Sequence, residues 1–388
     1  MKLTDLSNDL NEWFSDKGPH SDIVISSRIR LARNLAGFKF LSKCTDDEKQ
    51  LILDKIKQVL MSLDIGDETI YIGINRASKL DRNFLVERHL ISRNHAFGKG
   101  PRGAVITRRE FFTAMINEED HLRIQILKAG LQLSNCFEQI NNIDDQIEKQ
   151  LDYAFSPKYG YLTACPTNLG TGIRVSVMLH LPALKMTEQI EKFLNAARSM
   201  NLAVRGLFGE GSEASGDFYQ LSNQATLGVS ENEVVQLFEK AIIPEIVEYE
   251  TLARKEMLDK HSEILDDKIS RASALLKSAH LISSQEALFL LSHIRLGLNM
   301  RQHLGASTPA IDDLCTSVAN DTTEKNSSNQ SEKLSDRQQP ISINTINRLF
   351  MLTLPAHLQI NHGTPLDPQG RDVLRAKIIR QALNPKKQ

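Results

Sequence analysis

Alternating apolar and polar residues predict β-strands at many points in the first part of the chain. The alternation is clearest over residues 174–181, where every second residue is Val or Leu and the pattern ends at Pro182. Further strands are predicted at residues 22–34, 69–74, 85–92, 103–107, 122–127, 202–205 and 218–222. Helical patterns at residues 46–63, at 187–200 and after Ser230 show no regular βαβ alternation with these strands. We therefore expect an α+β domain in which helices flank a large, mainly antiparallel sheet.

The pattern changes after about residue 250, where the chain becomes almost wholly helical. Apolar residues keep helical spacing over residues 252–297 and 343–352, and Pro368 suits the first turn of a last helix. Between them, residues 305–340 are rich in Ser, Asn, Asp and Thr, which is typical of a disordered loop. The chain thus divides into a catalytic domain at residues 1–250 and a smaller all-α domain at 251–388 that contains a disordered insertion.

Composition and charge narrow the classes of function. With 41% hydrophobic and 24% charged residues, the 388-residue chain has the composition of a soluble globular protein. A formal net charge of −1 argues against nucleic-acid binding driven by bulk charge. No apolar run has the length of a signal-peptide core or of a membrane span, and the four cysteines lack metal-ligand spacing. We expect a cytoplasmic protein with no direct nucleic-acid or membrane partner.

An acidic cluster lies at residues 117–123, directly after the apolar residues 114–116. It places three consecutive carboxylates between an amide, an imidazole and an arginine. Because a buried carboxylate must be paired or hydrogen-bonded, this stretch is a poor core segment. Taken alone, it is more simply a charged turn that ends one strand and opens the next.

Five arginines lie at predicted strand ends or beside predicted loops, and they are Arg28, Arg30, Arg123, Arg174 and Arg205. The rigid guanidinium fork suits phosphate oxygens, so five converging arginines would form a phosphate cradle without lysine. Arg28 and Arg30 point from the same face of an extended chain, which also fits a solvated basic edge. The Gly-rich segments at residues 165–174 and 205–214 match neither a Walker loop nor a Rossmann fingerprint.

Four motifs occur in the order found in the ATP:guanidino phosphotransferases, the creatine and arginine kinase family, which the chain resembles over about residues 20–250. They are Ser-Ser-Arg-Ile-Arg-Leu-Ala-Arg at 26–33, Asn-Glu-Glu-Asp-His-Leu-Arg at 117–123, Cys-Pro-Thr-Asn-Leu-Gly-Thr-Gly-Ile-Arg at 165–174 and Arg-Gly-Leu-Phe-Gly-Glu-Gly-Ser-Glu at 205–213. Few residues precede the first motif, and the helical region follows the core, as in the bacterial protein arginine kinase (McsB) branch. Leu-Pro-Ala-His-Leu-Gln at 354–359 and Arg-Asp-Val-Leu-Arg-Ala at 371–376 also resemble that branch.

The resemblance implies a guanidino kinase that uses ATP and Mg²⁺, and it assigns roles to individual residues. The five arginines would hold the phosphates of ATP-Mg. The further nucleotide-pocket residues that it implies are Ser27, His89 and Ser176. Glu119 and Glu210 would clamp the acceptor guanidinium, with Glu119 as the base and Cys165 close to it. For Cys165, a packing role is the alternative, since free cysteines are usually small core residues.

For the helical domain, the resemblance implies a second pocket that binds phosphoarginine and couples it to activity. Its residues would be Arg371, Asp372, Arg375 and Ala376. Arg371 and Arg375 have i, i+4 spacing on one helix face, and a solvated salt-bridge face is the alternative reading.

The implied function is that of a protein arginine kinase, which transfers the γ-phosphoryl group of ATP to arginine side chains of proteins and marks them for Clp-type proteolysis in stress and quality control. Its implied partners are protein substrates with exposed arginines, a Clp unfoldase-protease, a zinc-binding activator protein and a second copy of the chain in a homodimer. Two alternatives stay open. One is a phosphagen-type kinase for free arginine, and the other is a catalytically weak adaptor that binds phosphoarginine.

Overall fold

A computed structural model of the chain describes residues 12–207, 215–315 and 341–384. Its main strands are β1 (Val24–Arg33), β2 (Thr69–Gly73), β3 (Gly103–Thr107), β4 (Phe112–Ile116), β5 (Leu122–Ala129), β8 (Ile173–His180), β9 (Leu202–Gly206) and β10 (Phe218–Asn223). Within the described residues they form one antiparallel sheet of eight strands, in the order β2-β3-β4-β5-β1-β8-β10-β9. A small hairpin of β6 (Phe155–Ser156) and β7 (Gly160–Tyr161) stands apart. The antiparallel sheet expected from the sequence is confirmed.

The central strand β1 shows how the sequence divides the two faces of the sheet. Ile29 and Leu31 are fully buried and belong to the larger hydrophobic core, together with residues of helix Leu133–Glu148. Arg28 and Arg30 are out of phase with them by one residue, so they lie on the opposite face. One face of the sheet therefore forms a core, and the other carries charge.

Helices cover the core face and the ends of the sheet. In the first two-thirds of the described chain they are α1 (Asp46–Ser62), α2 (Lys79–Glu87), α3 (Arg93–Phe97), α4 (Leu133–Glu148), α5 (Pro182–Met186), α6 (Ile190–Ser199), α7 (Glu231–Leu237) and α8 (Ile243–Lys260). Helix α1 begins where the sequence predicts, because Thr45 accepts a hydrogen bond from the Glu48 amide and forms a capping box with it. Ser230 caps α7 in the same way, together with Glu233.

The strand predicted at residues 85–92 is wrong, because helix α2 occupies its first part and the chain then turns. Ser78 and Asp81 form a capping box that starts this helix, and that local signal outweighs a short apolar run. After the helix, His89 adopts a left-handed conformation with φ of 59°. This turn directs the following residues back toward the sheet. Helices α3, α4 and α5 were not among the predicted elements, whereas β4 is the strand that a charged turn at residues 117–123 would end.

The rest of the described chain is helical, as the sequence predicts. Its helices are α9 (Ser262–Ser278), α10 (Ser284–Leu304), α11 (Pro309–Cys315), α12 (Ile343–Leu352), α13 (Pro355–His362) and α14 (Pro368–Leu383). The predicted disorder is wrong for α11, where Ala310, Ile311 and Leu314 are buried in the helical core. Residues 316–340 lie outside the described residues. Across the described helices, none has both the length and the apolarity that crossing a membrane requires.

A buried arginine joins the helical region to the sheet. Arg295 on α10 is 1% exposed and donates hydrogen bonds to the backbone oxygens of Ser21 and Asp22 at 2.6 and 2.9 Å. It also donates to His180 Nδ1 on β8 at 2.9 Å, and burial together with Arg254 lowers the pKa of Arg295 to about 9. Because these partners belong to different parts of the chain, Arg295 fixes α10 against the polar face of the sheet.

Candidate active site

The polar face of the sheet is the floor of a cavity of about 650 Å³. All five predicted phosphate-binding arginines line it, together with Glu119, Cys165 and His89. The sequence predicts the identity of these side chains but not their convergence, which depends on strand pairing over long distances along the chain. The cavity is therefore the candidate active site.

The register of the sheet arranges the arginines in levels. Arg30 of β1 pairs directly with Arg174 of β8, and Ala32 pairs with Arg123 of β5. In an antiparallel sheet, directly paired residues project from the same face. Ala32, the partner of Arg123, lies four residues after Arg28 on β1. At ~3.3 Å per residue, Arg28 and Arg123 are therefore ~13 Å apart along the strand direction. The cations thus form a row along the floor of the cavity.

The arginine row is a site of strong positive potential. Burial and the guanidinium groups of Arg123, Arg174 and Arg205 lower the pKa of Arg28 to about 9. Burial and the same row, including Arg28, hold the pKa of Arg30 well below its ordinary value. A guanidinium keeps its proton at neutral pH, so the row carries its charge at an electrostatic cost. A bound polyanion would remove that cost.

Three of the five arginines donate hydrogen bonds to neutral side-chain oxygen atoms. Arg28 donates to Gln220 Oε1 at 2.7 Å, and Arg174 donates to the Ser222 hydroxyl at 3.0 Å. Arg30 donates to the Ser176 hydroxyl at 3.4 Å, whereas its buried Nε has no acceptor among the described residues. Phosphate oxygens are suitable acceptors for such a donor, so the row fits the phosphates of a nucleotide.

The acidic cluster forms the turn between β4 and β5, just beyond the Arg123 end of the row. Asn117 begins the turn with φ of 61° and donates to the backbone oxygens of Lys49 and Pro101. Glu119 is exposed on the cavity wall. The turn that was the simpler reading of this stretch is present, and it also carries a carboxylate into the cavity.

Glu118 is one of two carboxylates of this turn, with Asp120, to which the motifs assign no role. Its side chain is 2% exposed, accepts from the Ser92 hydroxyl at 2.5 Å and from Arg123 at 3.0 Å, and also accepts from the Glu119 amide. Although burial favours the neutral acid, Arg123 and the Ser92 hydroxyl lower the pKa of Glu118. A charged Glu118 thus holds both Arg123 and the backbone of Glu119 in place.

Asp120 and His121 tie the acidic turn to its neighbours. Asp120 Oδ1 accepts from Asn34 at 2.6 Å and from the amide of Ala164 at 2.7 Å. His121 accepts from the Leu35 amide through Nδ1, so its Nε2 carries the proton and donates to the Lys39 oxygen at 2.9 Å. Because Ala164 directly precedes Cys165, Asp120 fastens the Cys165 loop to the turn that presents Glu119.

Cys165 stands at the start of a short 3₁₀ turn, Pro166–Asn168, which precedes β8. Its Sγ lies 3.0 Å from Thr167 Oγ1, and its backbone oxygen accepts from the Thr163 hydroxyl. The side chain is half-buried and lines the cavity. The alternative of a fully buried packing cysteine therefore does not describe this residue, whereas Cys136 on α4 is 0% exposed and is of that kind.

Two of the predicted nucleotide-pocket residues do not line this cavity. Ser27 lies on the core face with Ile29 because strand residues alternate, and its hydroxyl donates to the Gly130 oxygen at 2.7 Å. The structure therefore does not support a nucleotide contact from Ser27. Ser176 lies on the cavity face but is 1% exposed, and its hydroxyl accepts the hydrogen bond from Arg30. Glu210 lies outside the described residues.

His89 does line the cavity, and its ring lies beside Arg28, at the other end of the row from Arg123 and the acidic turn. Its backbone oxygen accepts from Gln125 at 2.9 Å, and Gln125 pairs with Arg30 in the sheet. Burial and Arg28 lower the pKa of His89 to about 3, so the ring is neutral at physiological pH. The cavity thus has a neutral ring at one end, cations along its length and a carboxylate with a thiol at the other end.

The residues of the predicted phosphoarginine pocket lie on α14. Arg371 is half-buried and donates to the Leu366 oxygen at 2.8 Å. Arg375 is 1% exposed and donates to the backbone oxygens of Thr353 and Ile282 and to Asp372 Oδ1. Ala376 is fully buried. A solvated salt-bridge face is therefore wrong for Arg375, which holds α14 against its neighbours.

Comparison with known proteins identifies the family of both regions. Residues 51–253 match the C-terminal catalytic domain of the ATP:guanido phosphotransferases. Residues 262–337 and 336–388 match the C-terminal domain of the protein-arginine kinase McsB. The chain is 40% identical over 379 residues to the protein-arginine kinase of Bacillus pumilus. This alignment covers 96% of the chain and 93% of the Bacillus pumilus protein. It is also 40% identical over 390 residues to the protein-arginine kinase of Halothermothrix orenii, and this alignment covers 99% of the chain and 100% of that protein.

Solved structures show the same fold. The duplicated taurocyamine kinase of Schistosoma mansoni, determined with bound components of a transition-state analogue, is 29% identical with a TM-score of 0.55 and matches 63% of this chain and 35% of that chain. A lombricine kinase is 29% identical with a TM-score of 0.54, over 64% of this chain and 70% of its own. The expected guanidino-kinase fold is confirmed, and the chain belongs to the ATP:guanido phosphotransferase family, in its protein-arginine kinase branch.

Proposed function

We propose that the chain transfers the γ-phosphoryl group of ATP to arginine side chains of proteins. The observation that carries the proposal is the order of groups along one cavity, in which His89, the arginine row and Glu119 with Cys165 follow one another. A nucleotide lying along the row would have its terminal phosphate directed toward the carboxylate. The names of the relatives, which are protein-arginine kinases, support arginine in proteins as the acceptor.

Phosphoryl transfer depends mostly on positioning and on neutralising charge, and the arginine row is suited to both. Mg²⁺ would enter as part of the substrate MgATP, where it neutralises charge on the β- and γ-phosphates. The described residues contain no group of three or more metal-ligating side chains. This fits Mg²⁺, which is usually bound through substrate phosphates, waters and one or two carboxylates. Among the described residues, Glu118 and Glu119 are the carboxylates that line the cavity.

The acceptor presents a chemical difficulty, because a guanidinium has a pKa above 12 and no free lone pair. A glutamate with the ordinary pKa of ~4.3 faces a gap of roughly eight units, or ~11 kcal/mol, if it deprotonates arginine in advance. We infer that the N–P bond forms while the bond from the γ-phosphorus to its bridging oxygen breaks, and that the departing N–H proton passes to Glu119 during this step. By the family resemblance Glu210, which lies outside the described residues, would hold the other side of the guanidinium.

Incubation with MgATP and a basic protein tests the proposed function. Acid-labile phosphate should appear on arginine side chains of the protein, as detected by mass spectrometry at low acid exposure. Free arginine in the same assay should remain unphosphorylated. Phosphate on free arginine alone would instead identify a phosphagen-type kinase, and binding of phosphoarginine without transfer would identify an adaptor.

We also propose that α14 contributes to a phosphoarginine pocket that influences the active site. A chain of contacts leads from one to the other. Arg375 donates to the Thr353 oxygen, and the helix that follows, α13, has its first amides bound by the Glu87 carboxylate at 2.8 to 3.1 Å. Glu87 also contacts His357 Nδ1 at 2.9 Å. Val86 and His89, which flank Glu87 in the sequence, both line the cavity. A movement of α13 would therefore shift these two residues and change the shape of the nucleotide site.

Arg371→Ala is the informative variant for this pocket, because Arg375 is buried and its removal would disturb the packing of α14. The rate of protein phosphorylation should respond to added free phosphoarginine in the wild type, whereas in Arg371→Ala the ratio of rates with and without it should approach one. The measurement is initial rate against phosphoarginine concentration. An unchanged response in Arg371→Ala would remove this residue from the pocket.

Family resemblance is the support for the remaining proposals. They are that phosphorylated proteins pass to a Clp unfoldase-protease, that a zinc-binding protein activates the kinase, and that the chain works in the cytoplasm as a homodimer. Light scattering of the purified chain would decide the oligomeric state, and degradation of a phosphorylated substrate by purified Clp components would decide the first proposal.

A further inference from the structure

The N-terminal segment of the described chain carries an aromatic pair that no role in the proposed reaction yet explains. Trp13 and Phe14 form a short 3₁₀ turn and are 2% and 3% exposed. Their rings stack with centroids 5.3 Å apart and an interplanar angle of 7°. Asn347 on α12 donates to the Phe14 oxygen at 3.1 Å, and Phe350 packs against the Phe14 ring at 6.0 Å. The pair is thus held between the sheet and the helical region.

Trp13 lies directly behind the nucleotide end of the active-site cavity. Its indole meets the His89 ring edge-on, with centroids 5.1 Å apart and an interplanar angle of 90°. A second, much smaller cavity is lined by Trp13 and also by Arg28, His89 and Gln220. The last three residues line the large cavity as well. One layer of side chains therefore separates Trp13 from the space that a nucleotide would occupy.

His89 needs such support, because its backbone is in the left-handed region, with φ of 59°. A non-glycine residue with this backbone conformation is strained, and it keeps the conformation only where contacts with its surroundings stabilise it. The Gln125 side chain holds the backbone oxygen, and the Trp13 ring packs against the imidazole. The imidazole is neutral, so it can offer an aromatic face to a base without adding to the positive charge of the row.

We propose that Trp13 is a positioning residue for the nucleotide, and that it sets the His89 ring as the wall that receives the purine of ATP. The inference rests on the proposed use of ATP. It separates two parts of the nucleotide: the arginine row binds the phosphates, and the Trp13–His89 contact shapes the end of the cavity for the base.

Two ligands distinguish binding of the phosphates from binding of the base in one experiment. ATP carries both a purine and phosphates, whereas inorganic tripolyphosphate carries only phosphates. In Trp13→Leu, the KM for ATP should rise about tenfold, the size of effect expected from losing one aromatic contact, with kcat nearly kept. The inhibition constant of tripolyphosphate should stay at its wild-type value. Trp13→Phe, which keeps an aromatic edge, should recover most of the affinity for ATP.

Phe238→Leu is the matched control, since Phe238 is 1% exposed and belongs to the core on the opposite face of the sheet. It should lose a similar amount of thermal stability without changing the KM for ATP. Equal KM values in Trp13→Leu and Phe238→Leu would overturn the proposal, as would an equal loss of tripolyphosphate affinity in Trp13→Leu. A wild-type enzyme that transfers no phosphate would instead count against the proposed function.

The chain contains one tryptophan, so fluorescence offers a measurement that does not depend on catalysis. Addition of MgATP to the wild-type protein should change the emission of Trp13 in a saturable way, because the indole touches the ring that would receive the base. Tripolyphosphate at saturating concentration should change it much less. Emission that is indifferent to MgATP while calorimetry shows binding would overturn the proposal.

Discussion

Replacing Glu119 by Gln should nearly abolish phosphoryl transfer while leaving ATP binding largely intact. The carboxamide keeps the shape and a hydrogen-bonding oxygen but cannot accept the proton that leaves the guanidinium. A general base typically contributes 10²- to 10⁴-fold, so we expect kcat to fall by about 10³-fold. The measurements are transfer of labelled phosphate to a basic protein and calorimetric titration with MgATP.

The control for Glu119→Gln is Glu263→Gln, which makes the same chemical change at an exposed position in the first turn of α9. That variant should transfer phosphate at the wild-type rate. Glu118→Gln should behave differently from both, because the buried Glu118 orients Arg123. Its loss should weaken nucleotide binding as well as turnover. Sustained turnover in Glu119→Gln would remove Glu119 from the role of base.

Much of the fold follows from local sequence signals, and the failures have identifiable causes. Capping residues such as Thr45 and Ser230, and alternation over residues 174–181, predict their elements because neighbouring residues fix them. The segment at 85–92 failed because a short apolar run fits a helix end as well as a strand. Which strands pair, in contrast, is decided by packing across the whole sheet. Arg30 and Arg174 are brought together by a register that no local signal reveals.

The candidate site shows the same division between local and distant causes. Motif resemblance indicated the arginines and Glu119, but reading a motif as a block included Ser27, which the alternation of β1 turns to the core face. The sequence indicated the acidic cluster that contains Glu118 but not the role of Glu118 itself, because three carboxylates in a row give no sign of which one is buried and paired. Nothing in the sequence indicated that Trp13 belongs to the site, since its role depends on a contact with His89 made only in the folded chain.

The arginine row also leads to a prediction about stability. Burial and four neighbouring guanidinium groups hold the pKa of Arg30 below its ordinary value, which means that the charged form is less favourable in the folded protein than in the unfolded chain. Arg30→Met removes this cost. In the absence of nucleotide, Tm should rise by about 2–4 °C, the change that roughly 1 kcal/mol produces in a domain of this size. The kcat/KM for ATP should fall by about 10³-fold, and the increase in Tm on adding MgATP should be lost.

Arg33 provides the matched control on the same strand, because it is 1% exposed, more deeply buried than the half-buried Arg30, but has a carboxylate partner. Its guanidinium lies 2.7 Å from Asp144, and although burial opposes it, the charges of Asp144 and Glu231 raise the pKa of Arg33. Arg33→Met leaves Asp144 buried without its cation, so it should destabilise the protein by about 3–5 kcal/mol. The same substitution should therefore shift Tm in opposite directions at two positions three residues apart. Thermal unfolding with and without MgATP measures both shifts, and a fall in Tm for Arg30→Met would show that the row is not a site of repulsion that a polyanion relieves.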